Sequence, residues 1–317
     1  MLTKMEEKLY DYNPEEILKV FNNLKNTKHL PIQKTNFPNT LNDCIAIFQL
    51  TKKQKEKYMC LSDYFHGKHR LNAKRFDQNE SPLEYFENNQ ELVVSLAEKQ
   101  FNGDIKQALI TLTKQCSPFS PFIAVQTFRL FNSRKILDLC AGWGDRLIAA
   151  LSRDEWIDYY CGIDPNKQLS SGYQNMIKMF APKHSRSKYE LISSPAEITH
   201  IPLPPYKQLY DLIFTSPPFF DKEEYVTDKN KDNYKNQSIV TFKTFEDWYK
   251  HFLLYILANA SDLLKIGGYI VLHIDPSYVE RLKTDLLCVT YVGMIYIGDP
   301  TYESNSYEPM IVFQKNI

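Results

Sequence analysis

Short apolar runs alternate with segments of helical periodicity over the second half of the chain. Runs of strand length occupy residues 135–137, 159–163, 189–192, 210–214 and 269–274. Such runs, bounded by turn residues, are typical of buried strands, and their alternation with helices is typical of an open, mainly parallel sheet. The pattern predicts an α/β domain over residues 116–317. It also predicts a long amphipathic helix from residue 245 to about residue 264, ahead of the strand at 269–274.

Helix-start signals dominate the first part of the chain. Asn13 precedes Pro14, and Ser81 precedes Pro82 with Glu84 three residues after the serine, as in a capping box. A third helix candidate starts at residue 104. The sequence therefore predicts a mostly helical region over residues 1–115, with an irregular stretch at residues 30–39.

Composition narrows the class of protein. The chain has 317 residues, 43% of them hydrophobic, and a formal net charge of zero, so it can build a core but has no global attraction to polyanions. No apolar stretch is long enough to cross a membrane, and the first residues lack the apolar core of a signal peptide. Six cysteines occur without a C-x-x-C pair, so we expect reduced thiols in an intracellular protein. Cys60, His66 and His69 have a spacing that resembles a metal site, but a fourth ligand is not evident, so we expect no metal there.

One segment of the helical region is strongly basic. Residues 50–76 contain eight basic and two acidic residues, a local charge of about +6, with aromatic side chains among them. Basic and aromatic residues together can hold phosphates and stack bases. A solvated helical face with its aromatic residues in the core would give the same pattern, so both interpretations stay open. The eight are Lys52, Lys53, Lys55, Lys57, Lys68, Arg70, Lys74 and Arg75.

A proline-rich motif ends the apolar run at residues 210–214. Thr215, Ser216, Pro217, Pro218 and Phe219 follow it directly. The prolines have a fixed φ and donate no backbone hydrogen bond, so their carbonyls point in set directions. Together with the serine hydroxyl and the aromatic ring, they could grip a flat ring that carries an amino group. A strand that simply ends in a proline-containing loop is the alternative.

A second motif lies upstream. The strand that reaches Asp138 is followed by a turn with Gly142 and Gly144 and then by an apolar helix, which suits a backbone that approaches a ligand closely. It differs from the dinucleotide pattern because position 147 is Leu. The next strand ends at Asp164, where an acid is placed to bind ribose hydroxyls.

Together, in this order and at strand ends, the two motifs resemble class I S-adenosylmethionine-dependent methyltransferases, over roughly residues 117–317. Among these, the chain looks like the amino-methyltransferases of DNA, whose catalytic motif is (D/N/S)-P-P-(Y/F/W). The resemblance implies a Rossmann-like sheet with a closing hairpin at residues 290–297 and 309–313. It also implies S-adenosylmethionine as the cofactor, bound by Asp138, Ala141, Gly142, Gly144, Asp164 and Glu197.

The same resemblance implies a catalytic role for Ser216, Pro217, Pro218 and Phe219. Ser216 Oγ and the Pro217 carbonyl would accept hydrogen bonds from the target amine, and Phe219 would stack on an extruded base. We further predict that Phe220, Tyr225 and the basic residues Lys52, Lys53, Lys68 and Arg70 contact the substrate. The charged segment at residues 221–238 is predicted to be a loop that could close over it, or else an exposed connection without a role.

The resemblance leaves the substrate open. Cytosine N4 and adenine N6 are both compatible with Ser216, DNA is favoured, and RNA is possible because related motifs with Asn act on RNA or on protein glutamine. A catalytically silent nucleic-acid-binding subunit and a small-molecule methyltransferase are further alternatives. The chain has no Pro-Cys pair, so the cysteine nucleophile of the ring-carbon cytosine enzymes is not indicated.

Overall fold

The computed structural model describes residues 9, 11–30, 43–205, 209–220, 222–227, 232–298 and 307–316. Its centre is a twisted sheet of eight described strands in the order β1-β9-β10-β8-β6-β3-β4-β5. Strand β10 is antiparallel to β8 and β9, and the other neighbours are parallel. The predicted fold class, an α/β protein with a mainly parallel sheet, is confirmed. The strands of the sheet are β1 Cys44–Gln49, β3 Lys135–Asp138, β4 Tyr159–Ile163, β5 Lys188–Ile192, β6 Tyr210–Thr215, β8 Leu264–Leu272, β9 Thr290–Gly298 and β10 Glu308–Gln314.

Helices cover both faces of this sheet. The three helix starts predicted from capping signals are confirmed: the side chains of Asn13, Ser81 and Asp104 each accept a hydrogen bond from a first-turn backbone amide. The α-helices are Pro14–Lys25, Lys52–Glu56, Cys60–Asn72, Pro82–Asn88, Gln90–Gln100, Ile105–Leu112, Pro121–Leu130, Asp145–Ser152, Ser170–Phe180, Asp232–Lys235, Ser238–Thr241, Phe245–Asp247, Tyr255–Asp262 and Val279–Asp285.

The N-terminal region also contributes to the sheet, which the sequence did not predict. Strand β1 is an edge strand, parallel to β9 and aligned with it from Cys44 opposite Met294 to Gln49 opposite Gly298. The region packs on the α/β part as well, since the rings of Phe21 and Phe180 stack at 4.1 Å. The predicted domain boundary between residues 115 and 116 stays a prediction. The stretch predicted to be irregular at residues 30–39 lies outside the described residues apart from Leu30.

The helix predicted from residue 245 to about residue 264 is confirmed as an unbroken helical run over residues 245–262, which includes a π-helical stretch at Trp248–Leu254. The predicted start of the next strand is wrong. Strand β8 starts at Leu264, ahead of the predicted residue 269, and it passes through Gly267 with φ of +77°. Glycine permits this conformation at little cost, so the chain can bend within the strand.

The segment after the proline-rich motif is not a plain loop. Strand β7, Glu223–Glu224, pairs antiparallel with β2, Lys74–Arg75, and so ties this segment to the N-terminal region. Gln237 Oε1 accepts hydrogen bonds from the backbone amides of Tyr225 and Val226 at 2.8 and 3.0 Å. The described part of residues 221–238 therefore forms a fixed wall beside the end of β6.

The described ranges bear on two further classes of protein, membrane-spanning proteins and metalloproteins. Among the helices there, none combines the length and apolarity of a membrane span. No group of three or more His, Cys, Asp or Glu side chains in those ranges is placed to hold a metal ion. The six cysteines are free thiols.

Candidate active site

A cleft of about 1250 Å³ opens beyond the carboxyl ends of β3, β4 and β6. Open α/β sheets bind their ligands at this edge. The walls include the loop after β3, the proline-rich motif after β6, the β7 segment and parts of the N-terminal region. The sequence-predicted residues that line it are Ala141, Gly142, Asp164, Glu197, Ser216, Pro217, Pro218, Phe219, Tyr225, Lys52 and Arg70.

Five other predicted residues, all in the described part of the chain, do not line the cleft. They are Asp138, Gly144, Phe220, Lys53 and Lys68. Lys53 and Lys68 are exposed elsewhere on the surface. The other three have structural surroundings that change the expected roles.

Asp138 is fully buried, and its carboxylate is already paired inside the protein. Its Oδ2 accepts hydrogen bonds from Arg146 Nε at 2.7 Å and from Tyr160 Oη at 2.8 Å. Arg146 also donates to the Cys140 carbonyl. The expected direct contact of Asp138 with a cofactor is therefore corrected: its carboxylate instead anchors an arginine that supports the loop after β3.

The loop after β3 presents Gly142 to the cleft. Gly142 has φ of +56°, and a Cβ added there would meet one described atom within 4 Å, the Cys140 oxygen at 3.9 Å. Its amide donates to Asp164 Oδ2 at 2.9 Å, while Asp164 Oδ1 accepts from the Asn166 amide at 2.9 Å. A carboxylate has about four acceptor positions, so Asp164 keeps capacity for ligand hydroxyls.

Gly144 serves packing rather than ligand access. It has φ of +86° and precedes the helix Asp145–Ser152. A Cβ there would lie 2.8 Å from Met176 Sδ and 3.3 Å from a carbon of Tyr173. The sequence-based reason for this glycine, space for the ligand, is wrong, because the space is already filled by the helix Ser170–Phe180.

The pair of glycines allows a matched test of the ligand position. Gly142→Ala should weaken S-adenosylmethionine binding roughly tenfold or more, about 1.4 kcal/mol, because the methyl group enters open space beside the ligand. Gly144→Ala shares the left-handed backbone cost of about 1–2 kcal/mol but should mainly lower thermal stability through overpacking. Calorimetric affinity and melting temperature separate the two effects. Equal losses of affinity in both variants would contradict this placement of the ligand.

Burial raises the pKa of Asp164 to about 6, although the amides of Asn166 and Gly142 lower it. A ligand whose hydroxyls donate to this carboxylate needs the ionised form. We therefore expect S-adenosylmethionine affinity to fall, by up to about tenfold per pH unit, as the pH decreases below 6.

A second buried carboxyl, that of Asp145, provides a control for the role of Asp164. Burial also raises the pKa of Asp145, to about 7, and this second carboxyl lines the same cleft. Titration calorimetry should show that Asp164→Asn binds weakly with little pH dependence, whereas Asp145→Asn keeps the decrease below pH 6. An Asp164→Asn variant with the wild-type pH dependence would refute the role of this carboxylate.

The proline-rich motif is held by strand ends on both sides. Thr215 is buried, and its Oγ1 accepts from the Cys140 amide at 3.0 Å, which joins this motif to the loop after β3. Ser216 Oγ lies 3.0 Å from His273 Nδ1 and 3.2 Å from the His273 carbonyl oxygen. The Phe219 ring meets the His273 ring edge-on at 5.9 Å.

Phe220 turns away from the cleft. Its ring packs against Phe245 and Trp248, each at 5.8 Å, and its φ is +33°. A positive φ is uncommon for a bulky residue and concentrates at functional sites. The expected substrate contact of Phe220 is corrected: the side chain anchors the end of the motif in the core.

The basic segment does not form one surface. Arg70 is only 4% exposed and makes a two-point ion pair with Asp63, at 2.7 and 2.9 Å. Lys55, Lys74 and Arg75 are also partly buried and paired, with Glu308, Glu224 and Asp77 respectively. Arg70 is thus removed from the expected phosphate-contacting patch, and the exposed members that remain are Lys52, Lys53, Lys57 and Lys68.

His66, considered above as a possible metal ligand, supports the loop after β3. Its ring nitrogens lie 2.9 Å from the Trp143 carbonyl and 3.0 Å from the Leu169 carbonyl. Burial lowers the pKa of His66 to about 4, so the ring is neutral near neutral pH and donates to one of the two. Trp143 in turn packs edge-on against Tyr225, with ring centres 5.9 Å apart.

Sequence reasoning missed His273, Glu308 and Asp145 as components of the site. His273 follows β8 as Ser216 follows β6, so the rule that strand ends gather at one edge could have identified it. Glu308 starts β10, and its position at the cleft depends on that strand being antiparallel.

Comparisons with known proteins find likeness in structure alone. No protein-family model matches the sequence, and no curated protein matches it. A Listeria monocytogenes protein described as a class I S-adenosylmethionine-dependent methyltransferase has a TM-score of 0.43 and 15% identity, with 99% of this chain and 84% of that one covered.

Two further solved structures match about three fifths of this chain. TrmN from Thermus thermophilus gives a TM-score of 0.40 at 16% identity, and the match covers 62% of this chain and 49% of that one, so this chain spans about half of its length. An rRNA methylase from Streptococcus thermophilus gives 0.39 at 11% identity, over 61% of this chain and 97% of that one. At this level of identity the likeness concerns the fold alone.

Proposed function

We propose that this chain is an S-adenosylmethionine-dependent methyltransferase that acts on the exocyclic amino group of a nucleobase, cytosine N4 or adenine N6, in DNA. One observation carries the proposal: Gly142 and Asp164 line the same cleft as Ser216, Pro217, Pro218 and Phe219. In this proposal the cofactor and the planar amine would therefore bind next to each other.

The residues present fit S-adenosylmethionine. Gly142 leaves open space on the cleft side of its loop, and the Asp164 carboxylate faces the same cleft. Gly142, with its neighbour Ala141, would hold the methionine part and Asp164 the ribose hydroxyls. Glu197 lines the cleft next to Ala196, near the adenine in this arrangement. The cofactor supplies an activated methyl group.

The proline-rich motif would orient the amine. An amino group conjugated with a ring is a poor nucleophile, since its lone pair is delocalised. Ser216 Oγ and the Pro217 carbonyl would accept hydrogen bonds from its two N–H groups and so favour a pyramidal nitrogen. Phe219 would stack on the base, which must leave a duplex to reach the cleft. Catalysis would come mainly from positioning.

DNA is proposed over RNA because the tetrapeptide resembles that of the DNA enzymes. The cleft extends toward the N-terminal region, where Lys52 and Tyr12 lie on its wall. The exposed lysines around residues 52–57 would contact phosphates, and such contacts make binding salt-dependent.

Methyl transfer from labelled S-adenosylmethionine to matched DNA and RNA tests this proposal, with mass analysis of the released nucleosides. We expect N4-methylcytosine or N6-methyladenine in DNA, with Ser216→Ala as the negative control. The same products found in RNA alone would show that the substrate is RNA and not DNA. A protein that binds nucleic acid and cofactor but methylates neither polymer would be a silent subunit, contrary to the proposal.

A further inference from the structure

A chain of polar side chains leads away from Ser216 toward the N-terminal region. Ser216 Oγ lies 3.0 Å from His273 Nδ1, His273 Nε2 contacts Glu308 Oε1, and Glu308 Oε2 contacts Lys55 Nζ. Each member stands on a different element: the ends of β6 and β8, the start of β10, and the helix Lys52–Glu56. We call these four residues the serine–histidine relay.

The sheet itself sets this arrangement. Thr215 on β6 pairs with Leu272 on β8, so the next residues, Ser216 and His273, emerge side by side. The amide of His273 donates to the Thr215 carbonyl at 3.1 Å, which extends the pairing by one step. Strand β10 is antiparallel to β8, and it therefore begins at the edge where β8 ends, next to His273.

Glu308 selects the proton position on His273. Burial raises the pKa of the Glu308 carboxyl, but hydrogen bonds from His273 and Lys55 outweigh burial and hold the pKa well below its usual range. The carboxylate is thus ionised at neutral pH and only accepts hydrogen bonds. His273 Nε2 must then carry the hydrogen, and in the neutral ring Nδ1 offers its lone pair to the Ser216 hydroxyl at 3.0 Å, closer than the His273 carbonyl oxygen at 3.2 Å.

We propose that His273 is the terminal proton acceptor of the reaction, connected to the target amine through Ser216 and held in its accepting tautomer by Glu308. This inference rests on the proposed amino-methyl transfer. Ser216 would touch the amine, whereas His273, Glu308 and Lys55 act through it.

The step balances without a further reactant. The amine nitrogen forms a bond to the methyl carbon while the bond from that carbon to the sulfonium sulfur breaks, and the electron pair of that bond returns to sulfur. The nitrogen becomes positively charged and releases one of its N–H protons to Ser216 Oγ. The original hydroxyl proton of Ser216 passes to His273 Nδ1, and the imidazolium that forms is paired with the Glu308 carboxylate.

Aromatic rings flank His273. The ring of Phe119 meets His273 edge-on at 5.1 Å and that of Phe219 does so at 5.9 Å. The charged groups nearby are Glu308 on β10, Lys55 from the N-terminal region, Arg146 over the Phe119 ring, and Lys222 over the Phe219 ring and paired with Asp275.

Single-turnover methylation of a DNA or RNA duplex tests the relay. His273→Asn can still hydrogen-bond Ser216 near the position of Nδ1 but cannot take up a proton, and it should lower the rate by about 10²–10⁴-fold. Its cofactor affinity should stay at the wild-type level. Glu308→Gln, at a side chain 40% exposed, should fall between that variant and wild type. His251 and Glu98 are exposed, so His251→Asn is the matched control for His273→Asn and Glu98→Gln is the matched control for Glu308→Gln. Both controls should keep the wild-type rate.

A measurement on the cofactor-free protein is independent of turnover. The chain has seven histidines, so ¹⁵N spectra of labelled imidazoles are countable, and the His273→Asn variant assigns the signal. We expect a protonated Nε2 and a bare Nδ1 at neutral pH, with this preference weakened in Glu308→Gln. A protonated Nδ1 in the neutral ring would overturn the relay.

The outcomes separate the two proposals. If Ser216→Ala is impaired as expected while His273→Asn stays within about threefold of wild type, the relay is wrong and the amino-methyl transfer stands. If the wild-type protein methylates no nucleobase amine in DNA or RNA, the proposed function fails and the role of the relay fails with it, even where the imidazole spectra show the expected tautomer.

Discussion

Asp138→Ala should lower the free energy of unfolding by about 3–5 kcal/mol, the range for breaking a buried ion pair by removal of one partner. Arg146 is 3% exposed, and the substitution leaves its guanidinium in the interior without the carboxylate 2.7 Å from its Nε. Tyr160 loses its acceptor as well. Urea denaturation at neutral pH measures the change.

The chain offers a matched control for that prediction. Asp158 makes a two-point ion pair with Arg134, at 2.8 Å for both contacts, but the two side chains are 47% and 50% exposed. Asp158→Ala should therefore cost less than about 1 kcal/mol. Similar small losses in both variants would show that Arg146 finds another partner or water, and the bracing role of Asp138 would be withdrawn.

The Asp138 ion pair also shows where sequence reasoning stops. The run into Asp138 predicted a strand end correctly, because a four-residue strand between turn residues is a local pattern. Whether the carboxylate faces a ligand or an arginine eight residues later depends on how the helix Asp145–Ser152 returns over the strand. That is a property of packing, and the side-chain pattern is the same in both cases.

Sequence patterns also fail to predict pairing between strands that lie far apart along the chain. Strand β1 is a six-residue apolar run whose partner, β9, lies some 250 positions later. Local signals around residues 44–49 do not contain that pairing. The hairpin of β9 and β10 was implied by family resemblance, and it is present, with Glu308 opposite Ile297 at the start of its register.

The residues of the candidate site also differ in whether a local sequence pattern identifies them. Ser216 and Gly142 were predicted since each is part of a short motif at a strand end. His273 and Glu308 lie 57 and 92 positions after Ser216, and their proximity to it follows from the strand order β10-β8-β6. Once that order is known, the ends of adjacent strands can be searched for polar residues in pairs.

Ser216→Ala and Phe219→Ala should both impair methylation, but in different ways. Loss of the Ser216 hydroxyl removes the acceptor for the amine together with its connection to His273, so it should lower the single-turnover rate at least as much as His273→Asn, by about 10²–10⁴-fold. Phe219→Ala removes a stacking face worth roughly 1–3 kcal/mol, about ten- to a hundred-fold. That loss should appear mainly in capture of the base.

The two variants must be measured beside cofactor affinity and melting temperature. Both side chains are partly exposed in the cleft, and the proposed cofactor contacts come from Gly142 and Asp164 instead, so S-adenosylmethionine affinity should change little. Phe220→Ala is the matched comparison for Phe219→Ala: its ring packs on Trp248 and Phe245, so it should lower the melting temperature first. A motif that served only as a rigid strand end would reverse this order. Well-folded Ser216→Ala and Phe219→Ala proteins with wild-type rates would then remove the motif from the chemistry.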